Sequence, residues 1–192
     1  MSKQNSFLPV SALEPNDYNP NHMSDDRFHE LVEEVRHLGR LPKPIIVRPN
    51  GNGYIIVDGE HGWRAAQDAG LSEIPCEVVE VDDFEARRQT YKRNQHGEHN
   101  PVLLGRMFRQ MMEQRNLSRR ALAREIDVSE GTLRNALLYA EAADMRNGYA
   151  EGKERATNAE DEIAALSVRQ VRYYVKIPRV FADRWLNAGA DA

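Results

Sequence analysis

At 192 residues, with 41% hydrophobic and 29% charged side chains, the chain has material for one average domain or two small ones, and its composition is not that of a disordered protein. No apolar run approaches the ~20 residues of a membrane span, MSKQNSFLPV lacks the apolar core of a signal peptide, and a single cysteine, Cys76, precludes an internal disulfide and fits a reducing cytoplasm. The net charge of −4 hides an uneven distribution: residues 85–135 carry eleven basic and six acidic side chains, a local +5, as a nucleic-acid contact requires.

In chain order, residues 13–20 read as an extended, Pro-punctuated entry with a turn signal at Asn19-Pro20. Asp25 and Asp26 favour the start of a helix whose apolar face is Phe28, Leu31, Val32, Val35 and Leu38, and Gly39 ends it. Two short apolar strands, 44–48 and 54–57, flank a Pro/Asn/Gly turn. A tight turn at 58–62 leads to a helix expected from Trp63 to the stop at Gly70. Residues 75–81 alternate as a third strand, with Cys76 as a small buried apolar residue, and Asp82-Asp83 caps a basic helix to about Asn94. The polar stretch 95–101 marks a domain boundary. Beyond it helices are expected at 102–115, 118–126, 129 to about 142, 167 to about 175 and 178–187, with 144–161 a polar link or surface insertion. The fold class is therefore α+β: a small mixed α/β domain over 1–97 followed by an all-α domain over 98–192.

The turn Asp58-Gly59-Glu60-His61-Gly62 joins a strand directly to a helix, which leaves free backbone N–H groups at the helix start; these attract anions, phosphate above all. Arg64 adds a cation one step on. A bulky residue at Gly59 is expected to abolish anion binding and leave folding intact. His96 and His99 are three apart but have no further ligand at metal spacing except Glu98, so no metal site is assigned.

Residues 117–142, LSRRALAREIDVSEGTLRNALLYAEA, have helix-turn-helix spacing. Ser118 and Ser129 cap the two helices, Leu122, Ala123, Ile126, Val128, Leu133, Leu137 and Leu138 face inward, and Asp127 occupies the turn. Gly131, Thr132, Arg134 and Asn135 then stand with Ser129 and Glu130 at the exposed start of the recognition helix, and Arg119, Arg120 and Arg124 are placed to hold phosphates.

The order LEPNDYNP, a helix ending HLGRL, PIIVRP, YIIVDGEHGWRAAQDAG, IPCEVVEV and a helix closing on RNQHG, followed by the helix-turn-helix and by VRYYVKIPRVFADRWLNAG, resembles the ParB family. That family's N-terminal domain shares its fold with sulfiredoxin and encloses a nucleotide, usually CTP with Mg²⁺, between a GERRxRA-like box and a second box near ENxQR. The resemblance implies nucleotide binding by Gly59, Glu60, His61, Gly62, Arg64 and Ala65 in the first box, and by Arg93, Asn94 and His96 in the second. It also implies double-stranded DNA as ligand, homodimerisation, a partition ATPase as a further partner, no membrane, and a cytoplasmic, nucleoid- or plasmid-associated location. Family members dimerise through a further domain, and none is evident before Ala192.

Two departures matter. His61 and Gly62 replace adjacent arginines, from which either a lower triphosphate affinity or a differently seated phosphate is expected, and Arg93 stands where the family has a glutamate tied to hydrolysis, which puts hydrolysis in doubt more than binding. The implied function is a sequence-specific DNA-binding protein with a CTP switch, in DNA partition or transcriptional regulation. A second reading is a free-serine-kinase-like or nuclease-like enzyme of the same fold, with Glu60 as general base or metal ligand. A third is a regulator whose α/β domain binds a protein and no nucleotide. Sulfiredoxin chemistry is disfavoured, because Glu60-His61 occupies the loop where the nucleophilic cysteine would stand.

Overall fold

The computed structural model describes residues 3–95, 98–149 and 159–176, together with 182, 185 and 186. The chain divides into two compact units, Met1–Glu98 and His99–Ala192.

The first unit is built on a mixed five-stranded sheet. Its strands are β1 (Lys3–Pro9), β2 (Leu13–Glu14), β4 (Ile45–Asn50), β5 (Gly53–Asp58) and β6 (Glu73–Val79), in the order β1-β6-β4-β5-β2; β3 (Asn21–His22) lies outside this sheet. β1 and β6 pair antiparallel, as do β4 and β5, whereas β6 with β4 and β5 with β2 are parallel. Side-chain alternation along β4 and β5 sorts the apolar residues onto two faces. Ile45, Val47 and Ile56 join Val32 and Val35 of α1 (Asp25–Leu38) and Ala65 and Ala66 of α2 (Glu60–Asp68) in one core. Ile46, Val57 and Val79 meet Ala86 of α3 (Asp83–Arg93) in a second.

Several elements of the first unit depart from expectation. The residue pattern does not announce β1, because KQNSFLP lacks the β-branched alternation of a typical strand; its ladder to β6, from Lys3↔Val79 to Pro9↔Glu73, supplies what its side chains do not. β6 likewise begins two residues early, at Glu73, to complete that ladder. Helix α2 starts at Glu60, not Trp63, because Gly59 takes a left-handed conformation (φ 97°, ψ 24°) that turns the chain at once; Trp63 N–H already donates to Gly59 O at 3.0 Å.

The second unit is helical: α4 (Pro101–Gln114), α5 (Arg119–Ile126), α6 (Glu130–Tyr149), α7 (Ala159–Ala164) and α8 (Val168–Lys176), after the short β7 (Glu98–His99). Helix α6 runs beyond the expected end near Ala142, so the start of the supposed link is helical. Ala142 and Ala143 are fully buried, and Asp144 pairs with Arg106 at 3.4 Å and with Arg109, both on α4. Most of the helix expected at 178–187 lies outside the described residues; 182, 185 and 186 are helical. No helix among the described residues is long and apolar enough to cross a membrane.

Candidate functional site

A hollow of about 430 Å³ opens where β5 turns into α2. Met23, Leu31, Leu41 and Ile45 give it apolar walls; Asn16, Asn19, Asn21, Lys43, Arg93 and Asn94 give it polar ones. The turn from Asp58 to Gly62 also lines it. The first N–H groups of α2 have no partner within the helix, so the helix presents donors and a partial positive charge there.

Side chains drawn from distant segments pin this turn. Asn16 Nδ2 donates to Ile56 O at 2.9 Å, and the Thr90 hydroxyl donates to Val57 O at 2.6 Å. Asn94 Nδ2 donates to Asp58 Oδ1 at 3.1 Å and to Thr90 O at 2.9 Å. The Trp63 indole N–H donates to Val10 O at 3.1 Å and anchors α2 to the chain before β2. Arg87, almost fully buried, stacks over the Tyr18 ring at 4.3 Å, which holds α3 against the entry segment.

Glu60 is fully engaged: Oε2 accepts from Asn19 Nδ2 at 2.7 Å, and Oε1 pairs with Arg64 Nη2 at 2.6 Å. Its side chain is only 11% exposed, which leaves little of the carboxylate for a water or substrate. Burial pushes the His61 pKa below the ordinary histidine value; Arg64 and His22 push the same way and Glu60 opposes them. Burial thus disfavours the charged form of His61 that would best serve a phosphate.

Of the residues singled out from sequence, Gly59, Glu60, His61, Gly62, Arg93 and Asn94 come together around the hollow. Arg64 does not line it; its guanidinium lies on Glu60. Ala65 is wholly buried in the core, and His96 lies outside the described residues. Lys43, Asn16, Asn19 and Asn21 carry no mark of the site in the sequence, because only folding brings them to the turn. The Asn-Pro-rich entry is the available signal for the asparagines. Cys76 is 1% exposed and burial raises its pKa to about 11, so it offers no thiolate.

In the second unit, α5 and α6 are joined by a three-residue turn in which Asp127 is left-handed (φ 59°, ψ 54°). Ser118 Oγ accepts from Ala121 N–H at 3.2 Å and Ser129 Oγ from Thr132 N–H at 3.0 Å. Leu122, Ala123, Ile126 and Leu133 are buried, while Val128, Leu137 and Leu138 are half-buried. The start of α6 is exposed, but not every polar group on it is idle. The Thr132 hydroxyl is shared with Ser129 at 2.8 Å, Arg172 of α8 donates to Asn135 Oδ1 at 3.2 Å, and Arg120 stands 3.9 Å from Glu130. Arg119, Arg124 and Arg134 are exposed and make no ion pair among the described residues. Several other arginines of the basic stretch have acidic partners: Arg88 with Glu85, Arg106 with Asp144 and Glu160, Arg109 with Asp144, and Arg115 with Glu125.

The architecture is a mixed-sheet domain with a donor-rich hollow at a strand-to-helix turn, followed by a helical unit that exposes a capped helix start. Residues 1–95 match the ParB N-terminal domain, and the chain belongs to the ParB family. It is 34% identical over 132 residues to the chromosome-partitioning protein Spo0J of Thermus thermophilus, covering 68% of this chain and 48% of that one. It is 28% identical over 176 residues to the chromosome-partitioning protein ParB of Myxococcus xanthus, covering 90% and 55%. The chain spans about half the length of these curated relatives. Among solved structures, C-terminally truncated ParB from Caulobacter crescentus, complexed to the centromeric parS site, aligns over 95% of this chain and 99% of that chain, with 23% identity and a TM-score of 0.50, a likeness of fold.

Proposed function

We propose that this chain is a DNA-partition protein that binds a specific double-stranded DNA site through α5 and α6 and binds a nucleotide, CTP, in the hollow at the start of α2. The observation that carries the nucleotide reading is the hollow itself. It joins apolar walls suited to a base with unpaired helix N–H groups, asparagine amides and two cations suited to phosphates. The residues present fit a nucleoside triphosphate; Mg²⁺ would enter on its phosphates and neutralise part of their charge. DNA binding is supported by the caps of α5 and α6, the exposed Arg119, Arg124 and Arg134, and the partition role named for both relatives. Homodimerisation, a partition ATPase as partner and nucleoid association follow from the same reading.

Hydrolysis is slow or absent on this reading. A hydrolytic water needs a group to accept its proton; Arg93, where the family has a glutamate, cannot do so, both oxygens of Glu60 are already occupied, and Asp58 Oδ1 is engaged by Asn94 Nδ2. That occupancy also argues against the kinase-like alternative. Calorimetry with CTP, ATP and GTP, with and without Mg²⁺, tests the reading: heat with CTP is expected, and silence with all three removes the nucleotide site. Phosphate release near background even with cognate DNA is the companion result; brisk release abolished by Glu60→Ala would restore the enzyme reading.

A further inference from the structure

We infer that Lys43 is a phosphate-binding cation of the nucleotide hollow, in place of a guanidinium from the first turn of α2. The inference rests on the nucleotide reading and assigns a role to a residue outside both sequence boxes. It begins from a deficit of charge. The hollow carries the carboxylates of Asp58 and Glu60, and a triphosphate adds more negative charge. Gly62 offers only a backbone N–H, burial disfavours the charged form of His61, and Arg64 is turned onto Glu60 outside the lining. The cations that do line the hollow are Arg93, beside Asn94 at the end of α3, and Lys43.

The position of Lys43 is fixed by its neighbours. The segment from Leu41 to Ile45 lies directly against the first turn of α2: a Cβ at Gly62 would meet Leu41 Cδ2 at 3.8 Å and Ile45 Cδ1 at 3.3 Å. Pro42 and Pro44 restrict the backbone on both sides of Lys43, which holds the base of its side chain beside the hollow. Lys43 is exposed and makes no ion pair among the described residues, so its charge is available. Arg40, on the same loop, lines only a neighbouring hollow, which Lys43 also borders. It is a matched control for long-range charge.

The test is a calorimetric titration of the full chain with CTP, CDP, CMP and cytidine. Lys43→Gln removes one charge-assisted hydrogen bond from a partly exposed site, and CTP should bind about tenfold more weakly. The effect should shrink from CTP through CDP to CMP, cytidine should be unaffected, Lys43→Arg should recover most of the affinity, and Arg40→Gln should bind as the parent. Three results would overturn the assignment: an unchanged CTP affinity in Lys43→Gln, an equal weakening for all four ligands, or an equal weakening in Arg40→Gln. A parent protein that binds none of the four instead removes the nucleotide reading together with this inference. A thermal melt of Lys43→Gln matching the parent's shows that the variant is folded.

Discussion

Replacing Gly105 with alanine should destabilise the helical unit, although intrinsic propensity predicts the opposite. Gly105 sits inside α4, where in an exposed helix the exchange would stabilise by ~1 kcal/mol. Here a Cβ would lie 2.0 Å from Ala136 O, 2.7 Å from Ala136 C and 2.9 Å from Ala140 Cβ, all on α6. Non-bonded carbons are comfortable at about 3.5–4.0 Å, so α6 would have to retreat by roughly 1 Å or more along an interface that buries Met107, Phe108, Ala136 and Ala140. Overpacking typically costs ~1–3 kcal/mol, and the obstacle here is backbone, which places the cost at the upper end. After the gain in propensity, a net destabilisation of about 2 kcal/mol remains. For a protein of this size that lowers the melting temperature by about 4–8 °C. Thermal melts followed by circular dichroism measure it. A variant that melts at or above the parent's temperature refutes the close approach of α4 to α6.

Gly59→Val should lose both nucleotide binding and stability. Its Cβ would meet Ile45 Cδ1 at 2.8 Å and its φ of 97° strains any branched residue, which corrects the expectation that the fold would be indifferent; a normal melt would contradict this. Arg134→Ala should cost ~1–3 kcal/mol on a selected DNA site and little on random DNA, whereas Arg119→Ala should weaken all sequences alike; gel-shift titrations on both substrates separate the two roles. Nucleotide affinity should rise as pH falls below the ordinary histidine range, since burial disfavours the charged form of His61 and acidification restores it; His61→Asn should lose that component of the pH profile. A thiol reagent should leave Cys76 unlabelled in the native protein near pH 8. Its folded pKa of about 11 also means that stability falls as pH rises from 9 towards 11, where the unfolded thiol ionises first.

The turn at Gly59, the caps at Ser118 and Ser129, and the left-handed Asp127 were legible because each is a local event set by residues three or four apart. The Glu60–Arg64 pair was not read from the sequence, because the helix was expected from Trp63 and Glu60 in the turn before it; only with α2 starting at Glu60 do the two stand four apart on one helix. Lys43 and the asparagines of the entry segment were not legible either, because their place at the turn depends on β2 pairing in parallel with β5 and on the loop before β4 lying against α2. Strand β1 escaped because its neighbour β6, seventy residues on, defines it. The length of α6 escaped for the same kind of reason: Asp144 is held by arginines of α4, more than thirty residues earlier.

That same lattice of ion pairs on α4, α6 and α7 decides how the protein would respond to salt. A cation already neutralised within its own fold displaces no counterion when it approaches a phosphate. If each phosphate neutralised contributes ~0.9 to the slope of log affinity against log salt, eleven available cations would give a slope near −10, a steep dependence that physiological ionic strength would punish. On α5 and α6, the exposed Arg119, Arg124 and Arg134, which make no ion pair among the described residues, give about −3 per bound chain. Binding of this kind leans on base contacts and shape more than on charge, and it would persist at ionic strengths that strip a uniformly basic protein from DNA.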